Sequence, residues 1–194
     1  MTKEELKEFI SNGKENPKLD FKKEWYKEQD LKTELLKDII ALTNGNIHTI
    51  GERSYLIIGV KEGQEANEIH HVELDKSIDA LQKEILQNLQ NKATPSIQDL
   101  EITKHIIEEK DIYVIEIPFH PYPIILKDKI RQHPKDTLLL RAGEGTISAD
   151  YATRKAFEEA LERYVKESEN KEMRKIETKT YIENINNTGI MNFS

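Results

Sequence analysis

The sequence contains no cysteine. That removes disulfides, thiol nucleophiles and cysteine-ligated metal centres. No apolar run is long enough to cross a membrane, and Met1 leads straight into a charged amphipathic segment rather than a signal peptide. The chain is therefore expected to be cytoplasmic, with no membrane contact. Positive charge is in deficit: 29 Lys and Arg stand against 36 Asp and Glu, for a net charge of −7. Indiscriminate coating of DNA needs a broadly basic surface and is excluded. A local basic groove is not, and a surplus of carboxylates suits a site that takes a metal ion. No Gly-x-x-x-x-Gly-Lys-Ser/Thr loop is present. Gly143-Glu144-Gly145-Thr146 lacks the lysine, and Glu144 would repel a phosphate, so no ATP site is expected. There is no internal repeat and no low-complexity run. What remains is a chain of 194 residues, 37% hydrophobic and 34% charged. That is enough for one compact domain, with part of the chain outside its core.

Thr2 reads as the cap of a short helix, with Glu5 as its capping-box partner, Leu6, Phe9 and Ile10 as its apolar face, and Gly13 as its end. Lys18-Leu19-Asp20-Phe21-Lys22 alternates, as a short strand does. Asp30 is the expected N-cap of the most strongly patterned helix, Leu31 to Asn44, which Asn44-Gly45 stops. Tyr55 to Val60 is a continuous apolar run, as in a strand buried on both faces. A helix from Asp75 to Asn91 would turn Ile78, Leu81, Ile85 and Leu89 inward before Pro95 breaks the pattern. Residues 97–107 and 112–117 predict a hairpin about Glu108-Glu109-Lys110-Asp111, and Pro123 to Leu126 and Thr137 to Arg141 predict two more strands. Asp150 opens a last helix expected to end near Val165.

The expected fold is α+β: a mixed sheet of five or six strands with three main helices packed against it. Residues 1–166 form the domain. Residues 167–194, charged and then asparagine-rich, read as a linker or docking tail. The scattered Ile182, Ile185, Ile190, Met191 and Phe193 fit either a disordered end or the start of a further module.

Three segments stand out: Glu15 to Lys22 (ENPKLDFK), Ile39 to Gly63 with IIALTN and YLIIGVKEG, and Arg141 to Ala149 (RAGEGTISA). In order and spacing they resemble the Schlafen/AlbA-type domain, also called divergent AAA. Its signatures are Glu, four residues, Glu-Phe-Lys; a helix, an Asn turn and a strand ending in Gly-Val-x-Asp-x-Gly; and Arg-x-Gly-Ser-x-Thr-x-x-Ala. The chain departs from them in a longer loop after Asn44, in Asp20 where the family prefers Glu, and in Glu62 where it prefers Asp. The resemblance implies a Schlafen-lobe-like fold. It also implies that Glu15, Asp20 and Glu62 occupy the positions of the three acids that Schlafen-type RNases use. Magnesium and manganese prefer carboxylate oxygens, so Mg2+ or Mn2+ would be the cofactor, and a cation so placed stabilises charge on a phosphodiester. Lys22, on the same strand face as Asp20, would hold the phosphate or orient a water. The plain alternative is that these are solvated acids.

The basic connection Lys127 to Lys135, with Lys127, Lys129, Arg131 and Lys135, would track a phosphate backbone, or is a solvated hairpin tip. Arg141 would grip a phosphate bidentately or pair with an acid at the sheet edge. Trp25 or Tyr26 would stack a nucleobase or belongs to the core. The six histidines form no metal-binding pattern. Three functions follow: a metal-dependent RNase or DNase in a defence-type assembly, a non-catalytic module that binds RNA or DNA, and a protein-interaction or sensor module whose tail recruits an effector. A homodimer is expected, because the resemblance implies half of a two-lobed clamp.

Overall fold

A computed structural model describes the backbone of residues 1–189 and side chains as far as residue 175. The capping box forms as the sequence predicts. Thr2 accepts from the Glu5 N–H, Glu5 reaches back to the Thr2 N–H, and α1 (Lys3–Asn12) buries Leu6 and Ile10. β1 (Leu19–Lys22) follows. The main helix starts later than Asp30 implies. Residues Glu28–Asp30 form a single 3-10 turn and α2 runs Glu34–Asn44, with Thr33 at a cap position that makes no side-chain bond. Asp30 does not cap it because its carboxylate accepts from Arg131 instead. The whole apolar stripe of α2 is buried, from Leu35 to Leu42.

The run at 55–60 is divided. β2 (Ser54–Ile58) and β3 (Val60–Lys61) are separated by Gly59 at φ +102°. A side chain there would meet the His70 carbonyl at 2.9 Å and the Ile112 side chain at 2.6 Å, so the bend depends on glycine. β4 (Glu68–Ile69) pairs with β3. α3 (Ile78–Lys92) begins at Ser77, whose hydroxyl accepts from Ala80 N–H, rather than at Asp75. Beyond it lie β5 (Ala93–Thr94), β6 (Glu101–Ile107), β7 (Lys110–Ile117), β8 (Ile125–Leu126), β9 (Leu139–Ala142) and β10 (Gly145–Ser148). α4 (Tyr151–Gly189) closes the described chain. Asp150 caps it, accepting from the Thr153 N–H at 2.7 Å.

The fold is α+β. Its central sheet has four strands in the order β1-β2-β7-β6, not five or six. β1 and β2 run parallel and the other pairs antiparallel. The remaining strands form two-stranded ladders. One core lies between α2, α3 and the sheet, and a smaller one between α1 and its other face. α4 packs on the rest through Phe157, Leu161 and Val165. It does not end near Val165, however, and helical backbone continues to Gly189. The side chains of the asparagine-rich tail lie outside the described residues. Among the described residues no helix is long and apolar enough to cross a membrane.

Candidate functional site

β1 sends Leu19 and Phe21 into the smaller core. Residues one apart face opposite ways in a strand, so Asp20 and Lys22 turn toward α2. Asp20 is buried. Lys22 Nζ donates to one of its oxygens at 2.5 Å, and Arg141 Nη2 lies 3.3 Å from the other. The pairing continues outward. Lys22 is 3.7 Å from buried Asp38, Asp38 is 3.3 Å from Lys37, and Lys37 is 2.7 Å from Glu34. Glu34 pairs with Arg131, and Arg131 reaches Asp30 at 2.7 Å. Eight side chains thus alternate in sign from the sheet to the surface. Tyr26 braces the middle by donating to Asp38 at 2.6 Å. Burial, then Asp38's charge, pushes the Tyr26 hydroxyl well above its ordinary value. For Lys22, burial works against the charge, but Asp20 and Asp38 outweigh it and its pKa is raised.

Glu15 is brought back onto β1 by a tight turn in which Asn16 and Leu19 exchange backbone hydrogen bonds. Its carboxylate accepts from Phe21 N–H at 2.9 Å, and its own N–H donates to Glu62 at 2.9 Å. The Gly59 bend carries Glu62 there. The structure therefore gathers the three sequence-predicted acids. Burial first, then the negative charge of Asp20, raises the Glu15 carboxyl to about 7 against the pull of Phe21 N–H and Lys22, with Glu62 adding to the rise. Asp20 already has both oxygens in ion pairs. Among the described residues no three His, Asp or Glu side chains are grouped to hold a metal ion. In this arrangement the trio does not fit one.

Of the two readings of Arg141, the structure shows the ion pair, with Asp20. Arg141 is buried, its N–H donates to the Gly45 carbonyl at 2.7 Å, and it faces Thr146 across the β9–β10 ladder. Arg141 Nε and Thr146 Oγ1 are buried with no hydrogen-bond partner among the described residues. Both residues line a cleft of about 310 Å³ with Lys22, Tyr26, Lys37 and Asp38. Lys127, Lys129, Arg131 and Lys135 are all exposed on the β8–β9 connection. Arg131 is engaged by Asp30 and Glu34, which ties that connection to the rim of the cleft.

Sequence reasoning missed Glu34, Lys37, Asp38 and the role of Asn44. Asp38 carried a signal: it is a charged residue set between the apolar pairs Leu35-Leu36 and Ile39-Ile40. Asn44 is buried and donates to the carbonyls of Ile124 and Leu139 at 2.8 Å, and it accepts from Ile124 N–H at 2.9 Å. It ties the end of α2 to the two segments that flank the basic connection.

A family profile described as Schlafen, AlbA_2 matches residues 15–150. No curated protein sequence matches. Among solved structures, the DIP2311 protein of Corynebacterium diphtheriae is similar at 18% identity and a TM-score of 0.47, over 69% of this chain and 26% of that one. The N-terminal domain of a RecG-related protein from Nitrosomonas europaea is similar at 15% identity and a TM-score of 0.38, over 54% of this chain and 65% of that one. The matched part is thus less than two thirds of either protein's length.

Proposed function

Because the chain belongs to the Schlafen, AlbA_2 family, we propose that it is a nucleic-acid-binding module that lays a phosphate backbone along the β8–β9 connection, at the rim of the ion-paired cleft and clear of Glu144. The observation that carries this reading is the anchoring of Arg131. It fixes the connection beside Lys22 and Arg141 and leaves Lys127, Lys129 and Lys135 exposed. A net charge of −7 makes binding local, and this edge carries Lys127, Lys129 and Lys135 within nine residues. Pairing of two copies about a twofold axis belongs to the same proposal, because a single shallow lobe encloses little of a strand.

Fluorescence anisotropy with labelled RNA and DNA tests it. Binding should weaken with salt. Replacing Lys127, Lys129 and Lys135 by Gln should lower the slope of log affinity against log salt by about 2–3, one counterion being released per contact. An unchanged slope would show the lysines to be a solvated tip. The same mixtures, incubated with manganese or with EDTA, decide the hydrolytic alternative. Cleavage that requires manganese and is lost in Glu15→Gln would establish a nuclease that needs Glu15, with the acids rearranged from the arrangement described above. Intact substrate under both conditions leaves a binding module.

A further inference from the structure

Next to the charged cleft lies a second cavity, of about 480 Å³, and Tyr26 lines both. Its size is that of a small-molecule site. Its apolar lining includes Trp25, Leu31 and Leu81. Trp25 is only partly buried, and its indole is held edge-on by Tyr26 and Tyr113, with ring centroids 6.5 and 6.2 Å away. A ring fixed in this way loses little freedom when another flat ring stacks on it. The polar lining carries more carboxylates than cations. Glu28, Glu73 and Asp75 contribute carboxylates and Lys27 an ammonium, while Lys76 is turned to Glu84 at 2.7 Å. The site thus joins a rigid aromatic wall to hydrogen-bond acceptors, one side chain away from the cleft assigned to the backbone.

We propose that this cavity receives a single unstacked nucleobase against Trp25, and that it prefers bases carrying an exocyclic amino group. The inference rests on the nucleic-acid reading above and adds the part of the ligand that is recognised. A strand running along the cleft would place one base past Tyr26. Carboxylates accept from the amino groups of cytosine (N4) and adenine (N6), whereas uracil and thymine present a carbonyl in the equivalent position. The acidic rim also keeps the phosphates outside, on the lysine side.

Trp25 is the only tryptophan in the chain, so its fluorescence reports this cavity, and the backbone without bases controls for any effect passed from the cleft through Tyr26. The unmodified protein is titrated with labelled single-stranded oligonucleotides of A, C or U and with the same phosphate backbone lacking bases, following Trp25 emission and ligand anisotropy together, and separately with AMP and CMP, following Trp25 emission. Saturable quenching is expected with A and C. Removing the bases should weaken affinity about 5- to 100-fold, the range for one stacked base, and abolish the quenching. U should bind several-fold more weakly than C. Binding without quenching, or equal affinity for the abasic backbone, overturns the base pocket and leaves the nucleic-acid reading intact. Neither binding nor quenching overturns both. Quenching by AMP or CMP with no oligonucleotide binding keeps the pocket and overturns the strand. No variant is needed, so a failure to fold cannot obscure the result.

Discussion

Glu15 shows how one residue ties the site to pH. In the folded chain its carboxyl is held at about 7, above its ordinary 4.5. Between those values the folded state keeps a proton that the unfolded state has released, so stability is full at low pH and declines as pH rises through the window. Glu15→Gln removes the titration. The decline in denaturation midpoint over that window should flatten, with the largest gain at its upper end. Superimposable profiles for the two proteins would mean that the carboxyl is not under strain. Arg141 poses the converse case. Truncating it to Ala leaves Asp20 buried with Lys22 as its remaining partner, a loss toward the lower end of the ~3–5 kcal/mol seen when one member of a buried pair is removed. Asp20→Asn added to Arg141→Ala should recover part of that loss in urea unfolding.

At the scale of elements, Asn44 does the work of a clasp. Asn44→Ala leaves two carbonyls and an N–H without their partner, and should destabilise by on the order of 3 kcal/mol, measurable as a lowered urea midpoint. The sequence shows this residue only as a helix stop, because its three bonds go to residues 80 and 95 positions away. The same division runs through the fold. Elements announced by local pattern are where they are expected: the capping box at Thr2, the stripe of α2 and the inward face of α3. The hairpin is there too, but its first strand starts at Glu101 rather than residue 97 and its second at Lys110 rather than residue 112, which leaves a tighter turn. Elements decided by distant partners are not where they are expected. Asp30 loses its capping role to Arg131, which lies 101 residues on. β10 exists as the partner of β9, although Ile147 is its one large apolar residue. The turn at Glu108-Glu109 takes positive φ at both residues without glycine or asparagine, against the usual chemistry of such turns. Similarly, Glu15, Asp20, Glu62 and Lys22 are singled out through the resemblance to the Schlafen/AlbA-type motifs, whereas Glu34, Lys37 and Asp38 join them only when α2 is laid across β1.

At the scale of the whole molecule, the proposed pairing of two lobes is tested by sedimentation of a chain ending at Lys166, which retains Phe157, Leu161 and Val165 in their packing. It should still run as a dimer. A monomer, with the full chain associated, would place assembly in the remainder of α4. The alternating chain from Arg141 to Asp30 has a consequence for kinetics. Its four cations and four anions cancel when seen from more than a screening length, about 10 Å at moderate salt. On the proposed reading, an approaching strand would be steered by Lys127, Lys129 and Lys135 and would be blind to the cleft until contact. Encounter and residence should then be governed by different residues. Neutralising the three lysines should slow association and weaken its dependence on salt. Lys22→Met combined with Asp20→Asn, which keeps the chain of charges neutral, should leave the association rate nearly unchanged and shorten the lifetime of the complex, and stopped-flow mixing with labelled oligonucleotide separates the two.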